Sequence, residues 1–245
     1  MSTRTLAALD HLVVVAATLD EGVAWCQRTL GVAPGPGGEH PLMGTHNRLL
    51  SVASSRFPAA YLEVIAIQPS ATKTLAENDR RWFDMDCPAL QQSVQRDGPQ
   101  LVHWVARVPN LGAAHTALAQ LGLDPGQPMA VSRATPRGLL QWGITIRPDG
   151  HRPLGGCLPT LIQWGAQHPT DHMAPAGVQL LALSLAHPQA PLLGQALAAM
   201  GLALGPQGSL STAPHASLQA VLNTPIGQVT LHSPEILNTI GIQRL

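Results

Sequence analysis

Apolar residues recur along the chain at spacings that switch between two and three to four, and one strand-then-helix phrase occurs three times. The first copy opens with an apolar run over residues 9–16. Thr18 follows as an N-cap, with Glu21 three positions on completing a capping box, and Leu19, Val23, Cys26 and Leu30 then mark one helical face. The second copy has a strand over 101–108, a turn at Pro109 and Asn110, and a helix whose apolar face is Leu111, Ala114, Leu118 and Leu121. The third has a strand over 178–185, a break at His187 and Pro188, and Leu193, Leu197 and Met200 on its helix. Each helix stops on an apolar residue, a glycine and another apolar residue, at Gly31, Gly122 and Gly201, the pattern of a left-handed cap.

After each helix the chain returns to strand-like segments separated by Gly and Pro. These cover 45–52 and 61–67, then 139–146 and 158–164, then 218–223 and 227–232. The organisation expected is a first βαβββ module over 7–68, a linker with a short helix over 69–100, a second βαβββ module over 101–170, and a degenerate βαββ unit over 176–245. Within the linker, Arg80, Arg81, Trp82 and Phe83 either line a site or pin the segment down.

Composition narrows the partners. Lys+Arg and Asp+Glu balance at 14 each, so the chain offers no net field for phosphate backbone or anionic lipid, and nucleic acid is not an expected partner. No apolar run nears the ~18 residues needed to span a bilayer, which argues against a membrane partner. Hydrophobic residues make up 45% of the chain, enough for a sizeable core. Cys26, Cys87 and Cys157 are odd in number, contain no CxxC pair, and read as reduced thiols of a cytoplasmic protein. Gly35-Pro36-Gly37-Gly38 precedes a strand, lacks the lysine of a phosphate loop and reads as a turn; there is no GxSxG elbow. His168, His172, His187, His215 and His232 are scattered among loops and prolines, and a surface position is expected for them.

The phrases LDHLVVVA at 9–16, His40 followed by MGTHNRLL at 43–50, YLEVIAI at 61–67, LLQWGITI at 139–146 and LPTLIQWG at 158–165 resemble the vicinal oxygen chelate superfamily, and within it proteins with a glyoxalase-like domain. The resemblance spans most of residues 8–170. It implies an α+β fold in which two βαβββ modules pair into a cupped sheet, with a third degenerate unit of structural or homodimer-forming role. It also implies metal ligands on the first and last strands of each module, which fall on His11, Glu63, His103 and Gln163. Gln163 departs from the acidic residue more usual there.

Two imidazoles, a carboxylate and an amide oxygen form a mixed set suited to Zn, Ni, Co, Mn or Fe(II). Such an ion holds two adjacent substrate oxygens and stabilises the enediolate formed as a proton leaves, with Glu63 as ligand and base. The expected function is a metal-dependent lyase or isomerase acting on a small substrate with vicinal oxygens. An Fe(II) extradiol dioxygenase and a metal-free binding protein of the same fold are the alternatives.

Each residue also has a plainer reading. A histidine early in an apolar strand is often a satisfied core group, whereas Glu63 inside YLEVIAI demands a partner or a polar cavity. Thr45 and Asn47 share one strand face and, with His40, either bind substrate or stabilise a polar turn. Trp142 and Trp164, with Trp104, either wall a pocket or fill the core.

Overall fold

The structure, a computed structural model, describes residues 6–69, 71, 76, 79–135, 138–204 and 208–234. The tail at 235–245, which the third unit of the sequence reading took in, lies outside them. In the first unit β1 (Ala8–Val15) feeds α1 (Leu19–Leu30). Thr18 Oγ1 accepts from the Glu21 N–H at 3.1 Å, and Gly31 closes the helix with a left-handed φ of 73°. The chain then forms β2 (Glu39–His40), β3 (Thr45–Ser51) and β4 (Tyr61–Ile67). A connecting helix, α2 (Pro88–Asp97), leads to the second unit: β5 (Gln100–Arg107), α3 (Leu111–Gln120), β6 (Gln127–Thr135), β7 (Gly138–Ile146) and β8 (Thr160–Trp164).

These eight strands make one sheet in the order β2-β3-β4-β1-β5-β8-β7-β6. The two first strands, β1 and β5, pair antiparallel at its centre, and each is flanked by the parallel last strand of its own unit, β4 or β8. The two halves are thus related by an approximate two-fold axis. The sheet curls into a half-barrel, and Arg133 of β6 at one edge reaches Gly38 beside β2 at the other.

Residues on the convex face, among them Leu12, Leu62, Trp104 and Leu161, share a core with α1 and α3. The concave face carries Val13, Ile65, Val105 and Ile162, and α2 covers part of it with Leu90 and Val94. The third unit runs β9 (Gln179–Ala186), α4 (Ala190–Ala199), β10 (Ser209–Ser211), β11 (Ser217–Thr224) and β12 (Gly227–His232). Its sheet order is β10-β9-β11-β12, with β9 parallel to β10 and antiparallel to β11, so it repeats the order of elements but not the wiring of the first two. Leu180, Leu183 and Leu193 pack into the convex-side core, and Leu180 N–H donates to Val52 O at 2.8 Å.

Three strands, β2, β6 and β10, are absent from the sequence reading. β2 and β10 are too short to carry a period. β6 exposes most of both faces, so its residues were never selected for alternation. Cys26, Cys87 and Cys157 are all free thiols, and burial pushes Cys26 up to about 12. Among the described residues no helix is long and apolar enough to cross a membrane.

Helix α1 lies close against β4 because Gly22 has no side chain; a Cβ there would stand 2.4 Å from Val64 Cγ1 and 3.1 Å from Ala16 Cβ. Gly22→Val is therefore expected to cost about 1–3 kcal/mol through overpacking, despite a better helix propensity. Urea denaturation monitored by circular dichroism measures it; unchanged stability would show that the helix can move off the sheet.

Candidate functional site

Two adjacent residues of a regular strand point to opposite faces, yet Asp10 and His11 point the same way. In the β1–β5 ladder Leu9 pairs with Ala106 and His11 with Val105, which leaves Asp10 as an extra, unpaired residue. That bulge turns both polar side chains to the concave face. Asp10 is fully buried, and donors surround it: His11 Nδ1 at 2.7 Å from Oδ1, and His168 Nε2 and Trp164 Nε1 each at 3.0 Å from Oδ2. Burial alone would raise its pKa, but the hydrogen bonds and charges of His11 and His168 outweigh it and hold the carboxyl well below the usual carboxylate range. Tyr61 stacks on the His11 ring at 4.5 Å, and burial together with the nearby Asp10 and Glu63 charges pushes its phenol well up.

With Nδ1 donating to Asp10, His11 presents Nε2, which lies 3.7 Å from Glu63 Oε2. That separation exceeds hydrogen-bond reach, so both atoms remain available to a third. Glu63 is held from its other side, where Asn47 Nδ2 donates to Oε1 at 2.6 Å. The Asn47 amide is itself oriented, because its Oδ1 accepts from Gly38 N–H at 2.7 Å. His40 completes this side, with Nδ1 3.1 Å from Thr45 Oγ1 and Nε2 3.4 Å from Asn47 Nδ2. Burial pushes His40 down to about 4 despite the opposing Glu63 charge, so the ring is neutral at ordinary pH.

The glycine-rich segment read as a turn runs alongside β3, where Gly35 N–H donates to Leu49 O at 2.8 Å. A Cβ on Gly37 would fall 2.1 Å from the Asn47 carbonyl oxygen, so this close approach needs glycine.

The second half repeats the first with its chemistry removed. Val102 is the extra residue on β5, between Leu101 opposite Val14 and His103 opposite Val13. The pair Val102-His103 therefore stands where Asp10-His11 stands in the first half. Two residues after each histidine, Val13 pairs with Glu63 and Val105 pairs with Thr160, so Thr160 holds the place of Glu63. Both nitrogens of His103 are engaged: Nδ1 lies 3.1 Å from Gly156 O, while Nε2 accepts from Thr160 N–H at 3.1 Å. Burial first, then the Arg152 charge, pushes His103 down to about 3.

Gln163 lies on the convex face, where its Oε1 accepts from Leu111 N–H at 2.8 Å at the start of α3. Of the four residues expected to share an ion, only His11 and Glu63 meet. Among the described residues no group of three or more His, Cys, Asp or Glu side chains is placed to hold a metal. Two free donors do not make the mixed four-ligand set, and the residues as they stand do not fit the metal centre that the resemblance implies.

Trp142 and Trp164 pack together on the concave side at 5.5 Å, and Trp104 fills the convex core with Nε1 donating to Cys157 O at 3.0 Å. His168 and His187, expected at the surface, are buried; His168 bonds Asp10, and His187 Nδ1 accepts from Gln189 N–H at 2.9 Å. Arg81 pins the linker, donating from Nε to Met43 O at 2.9 Å and pairing with Asp86, while Trp82 and Phe83 face the cup against His40 and His103.

The family model of the glyoxalase-like domain matches residues 9–201. No curated protein matches the chain. Among solved structures, a hypothetical protein from Staphylococcus aureus is similar with a TM-score of 0.53 at 14% identity, covering 93% of this chain and 85% of that one. Methylmalonyl-CoA epimerase from Mycobacterium tuberculosis is similar at 17% identity over 71% of this chain and 97% of its own, with a TM-score of 0.39. The Streptomyces coelicolor epimerase in complex with 2-nitronate-propionyl-CoA is 13% identical over 66% of this chain and 100% of its own, with a TM-score of 0.40. The likeness to the Staphylococcus aureus protein, at 14% identity, is one of fold.

The neutral His103 has a consequence for stability. Its folded pKa of about 3 lies below the ordinary histidine value of about 6.5, so the unfolded chain binds a proton that the native state refuses. Its contribution is complete above that ordinary value and is lost as pH falls toward the folded one, with a slope of about 1.4 kcal/mol per pH unit. Denaturant unfolding between pH 7 and 4 should show this decline, and His103→Gln should flatten it. An unchanged slope in the variant would mean that the ring takes up a proton in the native protein.

Proposed function

Because the chain belongs to the glyoxalase-like domain family, we propose that it catalyses proton transfer at a carbon beside a carbonyl, as an isomerase or lyase of small substrates with vicinal oxygens. The observation that carries this reading is the pair of unbonded atoms, His11 Nε2 and Glu63 Oε2, 3.7 Å apart and each held from behind. Glu63 takes the proton from carbon, and Asn47 fixes the carboxylate so that Oε2 is the atom that reacts. Carrying a proton on each nitrogen, with Nδ1–H on the Asp10 carboxylate, the His11 ring gives the Nε2 proton to the oxygen that becomes negative and returns to the neutral Nδ1–H form. Tyr61 against its face keeps the ring in plane.

In this reading the substrate approaches both atoms from the cup, with Thr45, Asn47 and His40 on the side of Glu63 and Trp164 and Trp142 on the side of Asp10. Neutral His40 adds no charge to that wall. His103 and Gln163, the other two expected ligands, are committed elsewhere, so the proposed proton transfer rests on side chains alone. A second reading, a binding protein without chemistry, draws on an apolar hollow of about 190 Å³ lined by Val15, Ile67, Met85, Leu90 and Val94.

The test is exchange of carbon-bound hydrogen in heavy water, followed by proton NMR with hemithioacetals and α-hydroxycarbonyl compounds. Wild type should exchange, Glu63→Gln and His11→Gln should each lose about 10²–10⁴-fold, and chelator should leave the rate unchanged. Binding without any exchange would favour the second reading. Exchange that disappears with chelator and returns with a divalent ion would restore the metal-dependent form.

A further inference from the structure

Arg133 projects from β6 on the concave side, since it shares a face with Val131, which packs among the cup residues opposite Trp142. Its guanidinium crosses to the first unit and rests over Gly38: a Cβ on that glycine would stand 1.8 Å from Nη1 and 2.3 Å from Cζ. Gly38 does not have a positive φ, so its backbone does not require glycine; what requires it is the space. Nη1 is enclosed and has no hydrogen-bond partner. A second enclosed donor without a partner, Trp82 Nε1, belongs to a ring packed edge-on against His40 at 5.1 Å. Arg133 acts electrostatically on the same His40 and on Tyr61, the ring stacked over His11.

Buried donors are nearly always satisfied, and a cationic one left open is costly. Of the two, Trp82 packs on the neutral His40 beside the proposed reactive pair, and Arg133, seated over Gly38 two residues away, acts on the same ring through its charge. Glu63 does not satisfy them, since its Oε1 is taken by Asn47 and its Oε2 faces His11. We propose that Arg133 and Trp82 receive a carboxylate of the substrate, so that the molecule acted on is a small carboxylic acid bearing the reacting carbon within a few bonds of that group. The assignment deepens the proton-transfer reading and depends on it only for where the reacting carbon lies. It gives the second unit its share in the site: the first supplies the proton-handling pair, and the second supplies the cation that orients the substrate. Arginine suits this role because it keeps its charge when enclosed.

Glycolate and glycolamide differ in charge but hardly in shape, and titration of each into the full-length protein, followed by tryptophan fluorescence, reads the site directly. Wild type should bind glycolate at least about tenfold more tightly than glycolamide, the scale of a hydrogen bond to a charged group. Arg133→Gln should abolish that preference and Arg133→Lys should keep part of it. Gly38→Ala should weaken glycolate binding in the wild-type background and do nothing in the Arg133→Gln background, because the glycine matters only as room for the guanidinium. Circular dichroism melts establish that each variant is folded.

Equal affinity for acid and amide, or an Arg133→Gln variant that still prefers the acid, would overturn the proposal. Charge-dependent binding by a wild type that exchanges no carbon-bound hydrogen would keep the carboxylate site and remove the chemistry. Exchange without a charge preference would do the reverse.

Discussion

A carboxylate sealed from water survives as an ion only if donors replace its hydration, and Asp10 collects three, from His11, His168 and Trp164. The first comes from the same strand, and the other two arrive from the far end of the second module and the loop after it. Asp10 is therefore both an electrostatic anchor and a tether between modules. It fixes the His11 tautomer by accepting from Nδ1, which turns Nε2 toward Glu63. Removing the carboxylate would leave the His11, His168 and Trp164 donors without this acceptor and release the ring that the proposed chemistry needs, so the fold and the site rest on the same contact.

The two halves of the central sheet differ in a way that approximate symmetry makes easy to see. Each central strand carries one bulged residue immediately before its histidine, Asp10 in one case and Val102 in the other. Where the bulged residue is acidic, the histidine is held through one nitrogen and open at the other. Where it is valine, the histidine closes on itself, bonding Gly156 and Thr160 and staying neutral. A donor set drawn evenly from both halves would need four polar residues at related places. Glu63 and His11 occupy two, and Thr160 removes the carboxylate from a third. The second half contributes in another manner, through Trp164 and His168 behind Asp10 and through Arg133 across the mouth.

Most of the fold was legible because it is written in period. The strands at 9–16, 45–52, 61–67, 101–108 and 139–146 and the three glycine-capped helices carry local signals that burial on two faces enforces. β6 carries no such signal, since it is exposed, and with it went Arg133. His11 and Glu63 follow from the resemblance, and Thr45 and Asn47, with His40, from a shared strand face; the structure brings these five side chains together. Gln163 was read on the cup, whereas the registers put Thr160 in the place matching Glu63 and turn Gln163 toward α3. That register is set by pairing across the sheet, which a one-dimensional pattern does not contain. Asp10 had a usable signal: two polar residues side by side inside an apolar strand violate alternation, and a bulge is the ordinary way to place both on one face. His168 had none, because its burial depends on a contact with a residue far away in sequence.

This division of labour constrains how the site can work. The pair proposed to handle the proton sits on β1 and β4, which are hydrogen-bonded neighbours within one module, so the geometry of His11 and Glu63 is set by a rigid parallel ladder. The groups that would orient a substrate come from elsewhere: Arg133 from an exposed edge strand, and Trp82 from the linker before α2. An edge strand bonded on one side only shifts more readily than a central one, and a loop more readily still. The proposed reacting atoms are thus fixed while the proposed binding atoms lie on the parts that can yield, an arrangement that lets a cup admit a molecule without disturbing the pair at its floor. Gly38 belongs to the same logic. By offering no side chain it lets the guanidinium bridge the two edges of the cup.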